Sequence, residues 1–194
     1  MLLIAVTLTS CSTDSNSDNN SFFNLHEGNL WVYKRYTSYD NVNYTATTYI
    51  DSVRVTGDTL INNLTYAKVV HTAYYNPKEY LRVDSNGHLV DQSGYVHHPG
   101  TDTNYQNIRP VIIGGTQNVG SLTEQLQSPF TTTIEGLDYF VYPYYGTFIS
   151  TEANIPNNYI FYQYEENTGL VCQRIVALSG YESLEDRLIY HELH

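Results

Sequence analysis

The chain has 194 residues, a formal net charge of −11 and an isoelectric point near 4.8. Nucleic acids and anionic lipid surfaces are bound by basic faces, so this charge balance argues against both as partners. Only 15% of the residues are charged, and solubility must therefore depend on the polar groups of Asn, Thr, Ser and Tyr. The length suits one domain with a substantial core and is too short for two.

The N-terminus combines a short apolar run over residues 2–6 with the tetrad Leu8-Thr9-Ser10-Cys11. This tetrad resembles the lipobox of bacterial lipoproteins, in which a peptidase cuts before the cysteine and the cysteine is acylated. The resemblance implies a signal peptide over 1–10, lipidation at Cys11, and an outer membrane lipoprotein on the periplasmic or cell-surface side. Signal peptides open with a basic segment, which is missing before Leu2. Either the start codon is assigned too late and the basic segment precedes Met1, or the match is accidental and the chain is cytosolic.

A polar segment follows Cys11. No residue between Ser12 and Asn20 can bury appreciable apolar area, so this segment cannot join a packed core. It predicts a flexible tether over 11–20 that connects a membrane anchor to a single β domain over 21–194. The membrane, reached through the lipid, is then one expected partner.

The body of the chain has the composition of a β protein. Twenty tyrosines, with many threonines, valines and isoleucines, favour pleated strands, and helical periodicity is nearly absent. Alternating residues bounded by turn residues predict strands at 29–36, 45–55, 59–61, 64–75, 79–84, 88–92, 109–113, 131–135, 138–150, 159–165, 170–178 and 187–193. We expect a mostly β fold with very little helix, an antiparallel meander that forms a barrel, a half-barrel or a two-layer sandwich.

Several local features refine this pattern. Asn62-Asn63 and Ser85-Asn86-Gly87 are typical hairpin turns, and Gly57-Asp58 is interpreted as another turn. A change of hydrophobic parity indicates a bulge near Asp51. The segment 183–186 is expected to form a single helical turn.

The stretch from Ser93 to Pro129 interrupts the regular succession of predicted strands. It is rich in Gly, Asn, Thr and Pro, and only Arg109 to Ile113 has a clear strand pattern. Loops of this length inside compact domains are usually functional or disordered. A plain surface connection is the alternative.

A family resemblance rests on the opening of the domain, Leu25-His26-Glu27-Gly28-Asn29-Leu30-Trp31-Val32-Tyr33. This stretch is similar to the L-x-x-G-N-x-W-x-Y start of uncharacterised β-rich lipoproteins of the Bacteroidetes type. Residues 55–62, 80–87 and 168–171 resemble later parts of the same group. The resemblance implies an extracytoplasmic location and a β fold, and it implies no particular activity.

His97, His98 and Asp102 form a candidate metal site. They lie in a loop flanked by Pro and Gly, and imidazole and carboxylate are common zinc ligands. Neighbouring histidines on a strand face opposite ways, so this site requires the loop to bend. The terminal His191-Glu192-Leu193-His194 lacks the helical spacing of a zinc protease motif.

Catalytic signals are weak. Glu165-Glu166 and Glu185-Asp186 could supply the two carboxyls of a glycoside hydrolase, but adjacent acids beside turns are interpreted as solvated charges. Cys172 lies in an apolar strand and should be a buried thiol. The sequence has no nucleophile elbow and no phosphate loop, and we expect no cofactor.

The densest aromatic cluster is Tyr139-Phe140-Val141-Tyr142-Pro143-Tyr144-Tyr145. Tyr142 and Tyr144 share one face of a strand, and with Tyr145 they could form a platform for sugar rings or line a groove for an apolar ligand. The same alternation is typical of ordinary core or rim packing. These three tyrosines are the candidate ligand-binding residues.

Three functional hypotheses follow. The leading one is a non-catalytic binding module for a glycan or a small apolar ligand, and the second is an accessory subunit of an outer-membrane or adhesion assembly. The third is a hydrolase built on the long loop. An apolar carrier should have a hollow interior lined by aliphatic residues, and an enzyme should have acids or histidines converging in a cleft. The oligomeric state is left open.

Overall fold

The computed structural model of the protein describes residues 22–73, 78–152, 158–175 and 182–194. Within these ranges the chain forms antiparallel strands and no helix, so the expected fold class is confirmed. Because helices are absent there, none could span a bilayer. The predicted signal peptide, Cys11 and the tether lie outside the described residues.

The strands alternate with short turns along the whole described chain. They are β1 Leu30–Ser38, β2 Thr45–Ile61, β3 Leu64–His71, β4 Lys78–Val83, β5 Leu89–Asp91, β6 Val96–His98, β7 Gln106–Ile113, β8 Gln117–Leu126, β9 Phe130–Ile134, β10 Leu137–Ser150, β11 Asn158–Glu165, β12 Gly169–Ile175 and β13 Ser183–Glu192.

These strands form one sheet whose order is β6-β5-β4-β3-β2-β1-β13-β12-β11-β10-β8-β7, with β9 paired to β10 beside this path. The first and last strands pair at the centre, where Trp31 lies opposite His191 and Tyr33 opposite Leu188. From there the chain runs outward as a meander on one side and returns as a second meander on the other. The two halves of the chain therefore become the two halves of the sheet.

The two ends of the sheet are joined by side chains. The hydroxyl of Tyr95, just before β6, donates a hydrogen bond of 2.8 Å to Glu124 of β8, and the guanidinium of Arg109 lies 5.6 Å from the ring centroid of Tyr95. The Nε2 atom of His98 lies 2.9 Å from the carbonyl oxygen of Tyr142 on β10. The backbone hydrogen bonds of the described strands thus form an open sheet, and the side-chain contacts show that this sheet is curled, as in a half-barrel or sandwich.

Strand β2 is longer than the sequence predicts. The ladder between β2 and β3 shifts register between Val55 and Asp58, and Gly57 has a φ of 127°. The predicted turn at Gly57-Asp58 is therefore wrong, because glycine there allows a bulge within a continuous strand. The Asn62-Asn63 turn is confirmed, with positive φ angles at both residues.

The supposed long loop over 93–129 contains β6, β7 and β8. The predicted strand at Arg109 to Ile113 is part of β7, but β8 was missed. In β8 the buried positions include Leu122, Glu124 and Leu126. The buried glutamate interrupts the alternation of hydrophobic and polar residues, so a prediction based on hydrophobicity misses this strand.

The segment 183–186 is the start of β13 and not a helical turn. Glu185 and Asp186 are only 3% and 7% exposed, so the prediction of solvated charges is also wrong. Arg174 and Arg187 both pair with Glu185, and Arg35 pairs with Asp186 at 2.7 Å. Buried carboxylates require such partners, and here Arg35 and Arg174 come from the neighbouring strands β1 and β12 and Arg187 from β13 itself.

The main hydrophobic core runs through the centre of the sheet, where Val141, Val171 and Leu188 are at most 1% exposed. Trp31 belongs to this core, and its indole N–H donates to the carbonyl of Thr168 at 2.6 Å. Cys172 is buried as expected, and this burial raises the pKa of its thiol. The thiol therefore packs as a small hydrophobic group.

We predict that the substitution Leu188→Ala lowers the free energy of unfolding by about 2–5 kcal/mol, because it leaves a cavity in the core. Leu60→Ala is the matched control, since Leu60 is 73% exposed and surface changes are usually worth about 0.5 kcal/mol or less. Urea unfolding measures both values. Equal losses in the two variants would contradict this description of the core.

A second prediction concerns the junction between the ends of the sheet. Tyr95→Phe removes one hydrogen bond from the fully buried Glu124, and it should cost about 1–3 kcal/mol in urea unfolding. Tyr190→Phe, at a tyrosine that is 53% exposed, should leave stability unchanged. An unaltered unfolding midpoint for Tyr95→Phe would show that this hydrogen bond does not hold the junction.

Candidate functional site

A partly open cavity of about 600 Å³ lies between the two halves of the curled sheet. Strands β1 to β4 contribute one part of the wall and β11 to β13 the adjoining part, while Tyr95 and His97 lie at the β6 end. Its volume falls within the range of small-molecule sites. The lining residues are Tyr33, Asp51, Val53, His71, Glu79, Tyr95, His97, Tyr162, Tyr164, Leu170, Gln173 and Asp186.

Strand alternation and register bring these side chains to one face. Tyr33 lies opposite Asp51 in the β1–β2 ladder, and Val53 lies opposite His71 in the β2–β3 ladder. Because alternate residues of a strand share a face, these paired side chains lie on the same side of the sheet. The cavity wall is therefore set mainly by backbone pairing.

Asp51, His71 and Glu79 form a polar array on one wall. One carboxylate oxygen of Asp51 accepts the backbone N–H groups of Thr72 and Ala73, each at 3.1 Å. The other oxygen lies 2.8 Å from Nδ1 of His71. The Nε2 atom of His71 lies 3.8 Å from a carboxylate oxygen of Glu79. The imidazole is thus held between two carboxylates.

This array shifts the pKa values of two of its members. Burial by itself lowers the pKa of His71, but the nearby carboxylates of Glu79 and Asp51 outweigh burial and raise that pKa. The neighbouring imidazole of His71 in turn lowers the pKa of the Glu79 carboxyl, against the opposing effect of burial. The two carboxylates therefore favour the protonated form of the imidazole.

Asp186 lines the part of the cavity formed by β11 to β13, and its charge is also matched. Arg35 binds it in a bidentate ion pair, with Nε at 2.7 Å from one oxygen and Nη2 at 2.8 Å from the other. The side-chain amide of Gln173 donates to Asp186 at 2.9 Å. The cavity thus presents paired carboxylates and an amide, with no lysine or arginine in the described lining to hold an anion.

Four tyrosines supply the aromatic surface of the cavity. The hydroxyl of Tyr33 donates to the carbonyl of Leu170 at 2.8 Å, and that of Tyr95 donates to Glu124. Tyr164 is buried, and Tyr162 is half-buried on the same face of β11. These rings are held in place by the protein, so they can offer fixed surfaces to a ligand.

A smaller apolar space of about 110 Å³, here called the recess, adjoins the cavity. The two share the side chains of Tyr33, Val53, His71, Glu79, Tyr164 and Leu170. The cavity itself has only two aliphatic lining residues, Val53 and Leu170. Aliphatic side chains are therefore concentrated in the recess, and the cavity itself is mainly aromatic and polar.

The tyrosines singled out from the sequence lie elsewhere. Tyr144 is 1% exposed and packs against His98, with ring centroids 5.7 Å apart. Tyr142 is half-buried against Phe22, and Tyr145 is half-buried against Phe161. None of the three is among the cavity-lining residues.

The tyrosines predicted from the sequence lie on β10, beside the cavity-lining tyrosines of β11. Tyr142 lies opposite Tyr164 in the β10–β11 ladder, and Tyr144 lies opposite Tyr162. Their partners on β11 reach the cavity. The alternation of Tyr162 and Tyr164 was the available signal, but it resembles the alternation in β10 and cannot show which strand faces a cavity.

The structure does not bring His97, His98 and Asp102 together. His97 lines the cavity and lies 3.5 Å from Asp91. His98 is fully buried, and this burial lowers its pKa to about 4. Asp102 lies 3.2 Å from Nε2 of His88. Over the described ranges, no group of three His, Cys, Asp or Glu side chains is placed to hold a metal ion.

Comparisons with known proteins were made for the whole chain. No family model and no curated protein matches it. The chain is similar to a solved structure of a Bacteroides fragilis protein, described as exported with a YmcC-like fold. The two sequences are 12% identical, and the match covers 89% of this chain and 99% of the other, with a TM-score of 0.49. A protein of Parabacteroides distasonis described as a lipoprotein is 14% identical, with the same coverage and a TM-score of 0.40. Similarities this weak carry no argument about function.

We predict that the ring protons of His71, followed by NMR, titrate with a pKa above the ordinary value of about 6.5. Since the pKa is raised in the folded state, the stability contributed by His71 is complete below about pH 6.5 and is lost as pH rises through the native pKa. Glu79→Gln should lower this pKa, because it removes one of the two neighbouring carboxylates. Titration of His71 below its ordinary value would contradict the proposed array.

Proposed function

We propose that the protein is a lipid-anchored extracytoplasmic binding domain that takes a small neutral saccharide into its cavity. The observation that carries this proposal is the lining of the cavity, where tyrosine rings stand beside charge-paired carboxylates and a side-chain amide. Ligand sites commonly combine aromatic surface with a few polar groups in this way. The anchor rests on the resemblance of Leu8-Thr9-Ser10-Cys11 to a lipobox.

The shape and polarity of a sugar match this lining. A pyranose ring has faces of C–H groups, which pack on aromatic rings, and a rim of hydroxyl groups. The rings of Tyr33, Tyr95 and Tyr162 supply aromatic surface. Carboxylates accept hydrogen bonds from hydroxyl groups, and the amide of Gln173 can both donate and accept them.

The charges of the cavity favour a neutral ligand. Asp186 is paired with Arg35, and His71 lies between Asp51 and Glu79. An anionic ligand would meet carboxylates with no lysine or arginine in the described lining. A cationic ligand would compete with His71 and Arg35 for carboxylates that they already hold. Hydroxyl groups can add hydrogen bonds without breaking either pair.

The volume limits the size of the ligand. A space of about 600 Å³ lies in the middle of the range for small-molecule sites, and it suits about one or two sugar rings. Longer glycans could enter only by one end. We therefore expect terminal saccharide units to bind and the interior of a long chain to bind poorly.

We predict that a panel of neutral mono- and disaccharides contains a ligand detectable by isothermal titration calorimetry, and that Tyr162→Ala weakens its binding about tenfold, or about 1.4 kcal/mol. Tyr190→Ala is the matched control, because Tyr190 is 53% exposed and lies outside the cavity. It should leave the affinity unchanged. The absence of any binder among neutral saccharides, or equal losses in the two variants, would overturn the proposal.

One observation favours a second candidate, a hydrolase. Asp51, His71 and Glu79 converge in the cavity, and the pKa values of His71 and Glu79 are shifted, which is typical of acid–base catalysts. Glycoside hydrolysis uses a carboxylic acid with a raised pKa as its general acid. The pKa of Glu79 is lowered instead, and we therefore favour binding. Incubation with nitrophenyl glycosides distinguishes the two candidates. Release of nitrophenol that is lost in His71→Gln would show the hydrolase.

A further inference from the structure

We infer that the saccharide carries a small acylamino group, as an N-acetylhexosamine does, and that this group enters the recess while the sugar ring occupies the cavity. This inference rests on the proposed function and names the class of ligand for the same site. It follows from the position of the recess, its volume, its walls and the polar groups at its mouth.

The recess and the cavity form adjoining parts of one site. They share six lining residues, among them Tyr33, Val53 and Leu170. A ligand that contacts these side chains from the cavity therefore stands at the entrance of the recess.

The volume of the recess selects a short substituent. It measures about 110 Å³, and a water molecule occupies about 30 Å³ of liquid, so the recess holds about three or four non-hydrogen atoms. An acetylamino group has this size. A second sugar ring or a fatty acyl chain is too large.

The walls of the recess favour a substituent that ends in an apolar group. Beyond the shared residues it is lined by Phe23, Leu25, Trp31, Val69, Leu81 and Leu89, together with Asn24 and Gly169. The side-chain oxygen of Asn24 already accepts a hydrogen bond of 2.8 Å from Asn29. Small apolar spaces of this kind hold water poorly and bind apolar groups. A methyl group therefore fits the recess better than a hydroxyl group.

The mouth of the recess can satisfy an amide. His71 and Glu79 line both spaces, and the side chain of Glu79 is 49% exposed. A carboxylate has about four acceptor positions, so Glu79 can accept an amide N–H while it stays beside His71. An acylamino group thus meets an acceptor at the mouth and apolar walls beyond it.

The test compares N-acetylglucosamine, glucose and glucosamine by calorimetry on the purified protein. We expect N-acetylglucosamine to bind at least about tenfold more tightly than glucose, because burial of a methyl group and one amide hydrogen bond each contribute. Leu25→Trp fills the recess from a half-buried position and should lower the affinity for N-acetylglucosamine to that for glucose. Leu60→Trp, at an exposed leucine, is the matched control and should change neither affinity.

Fluorescence gives an independent readout. Trp31 is the only tryptophan of the chain and lines the recess but not the cavity. N-acetylglucosamine should therefore shift the emission of Trp31, whereas glucose at saturation should leave it almost unchanged. Equal shifts with both sugars would overturn the inference.

The remaining outcomes are also decisive. Equal affinities for glucose and N-acetylglucosamine would overturn the inference and leave the proposed function standing, whereas failure of every saccharide to bind would overturn both. Tighter binding of glucosamine than of N-acetylglucosamine would show that the amine charge is recognised instead.

Retained glucose binding shows that Leu25→Trp is folded. If that variant does not fold, Val69→Ile, which adds one carbon to the recess wall, takes its place with a smaller but measurable loss of discrimination.

Discussion

The structure depends on contact between two distant regions of one sheet. Tyr95 and His98, beside the β6 edge, reach across to Glu124 and to the backbone of Tyr142. These contacts fold the sheet over one of its own faces, so that this face encloses a space instead of meeting solvent. Glu124 is fully buried, and a buried carboxylate is costly unless its partners stay in place. The curl and the cavity are therefore maintained together.

Neighbouring side chains do not collapse into the cavity, because the polar groups of its walls are already held in ion pairs and hydrogen bonds. Asp51 holds His71, and Arg35 holds Asp186. Side chains fixed in this way cannot move inward without breaking hydrogen bonds in a place of low dielectric. A ligand then meets groups that lose little conformational freedom on binding, which favours affinity. The same pairs that stabilise the fold thus preorganise the proposed saccharide site.

Local patterns predicted much of the fold, because strands and tight turns depend on neighbouring residues. The Asn62-Asn63 hairpin and the alternation in β10 are examples. The missed features depend on distant partners. Strand β8 was hidden by Glu124, whose partner Tyr95 is 29 residues away, and Asp186 is buried only because Arg35, 151 residues away, neutralises it. Whether Tyr162 or its ladder partner Tyr144 lines the cavity likewise depends on how the sheet curls, and no local sequence pattern contains that information.

The most direct test of the central claim is an NMR titration of the protein, labelled with carbon-13 at its tyrosine rings, with the best saccharide ligand. The account predicts that the ring signals of the cavity residues Tyr95 and Tyr162 shift on binding, while those of the exposed Tyr39 and Tyr190 stay in place. Shifts confined to the exposed tyrosines would contradict it, because the ligand would then lie on the outer surface and not inside the curl of the sheet.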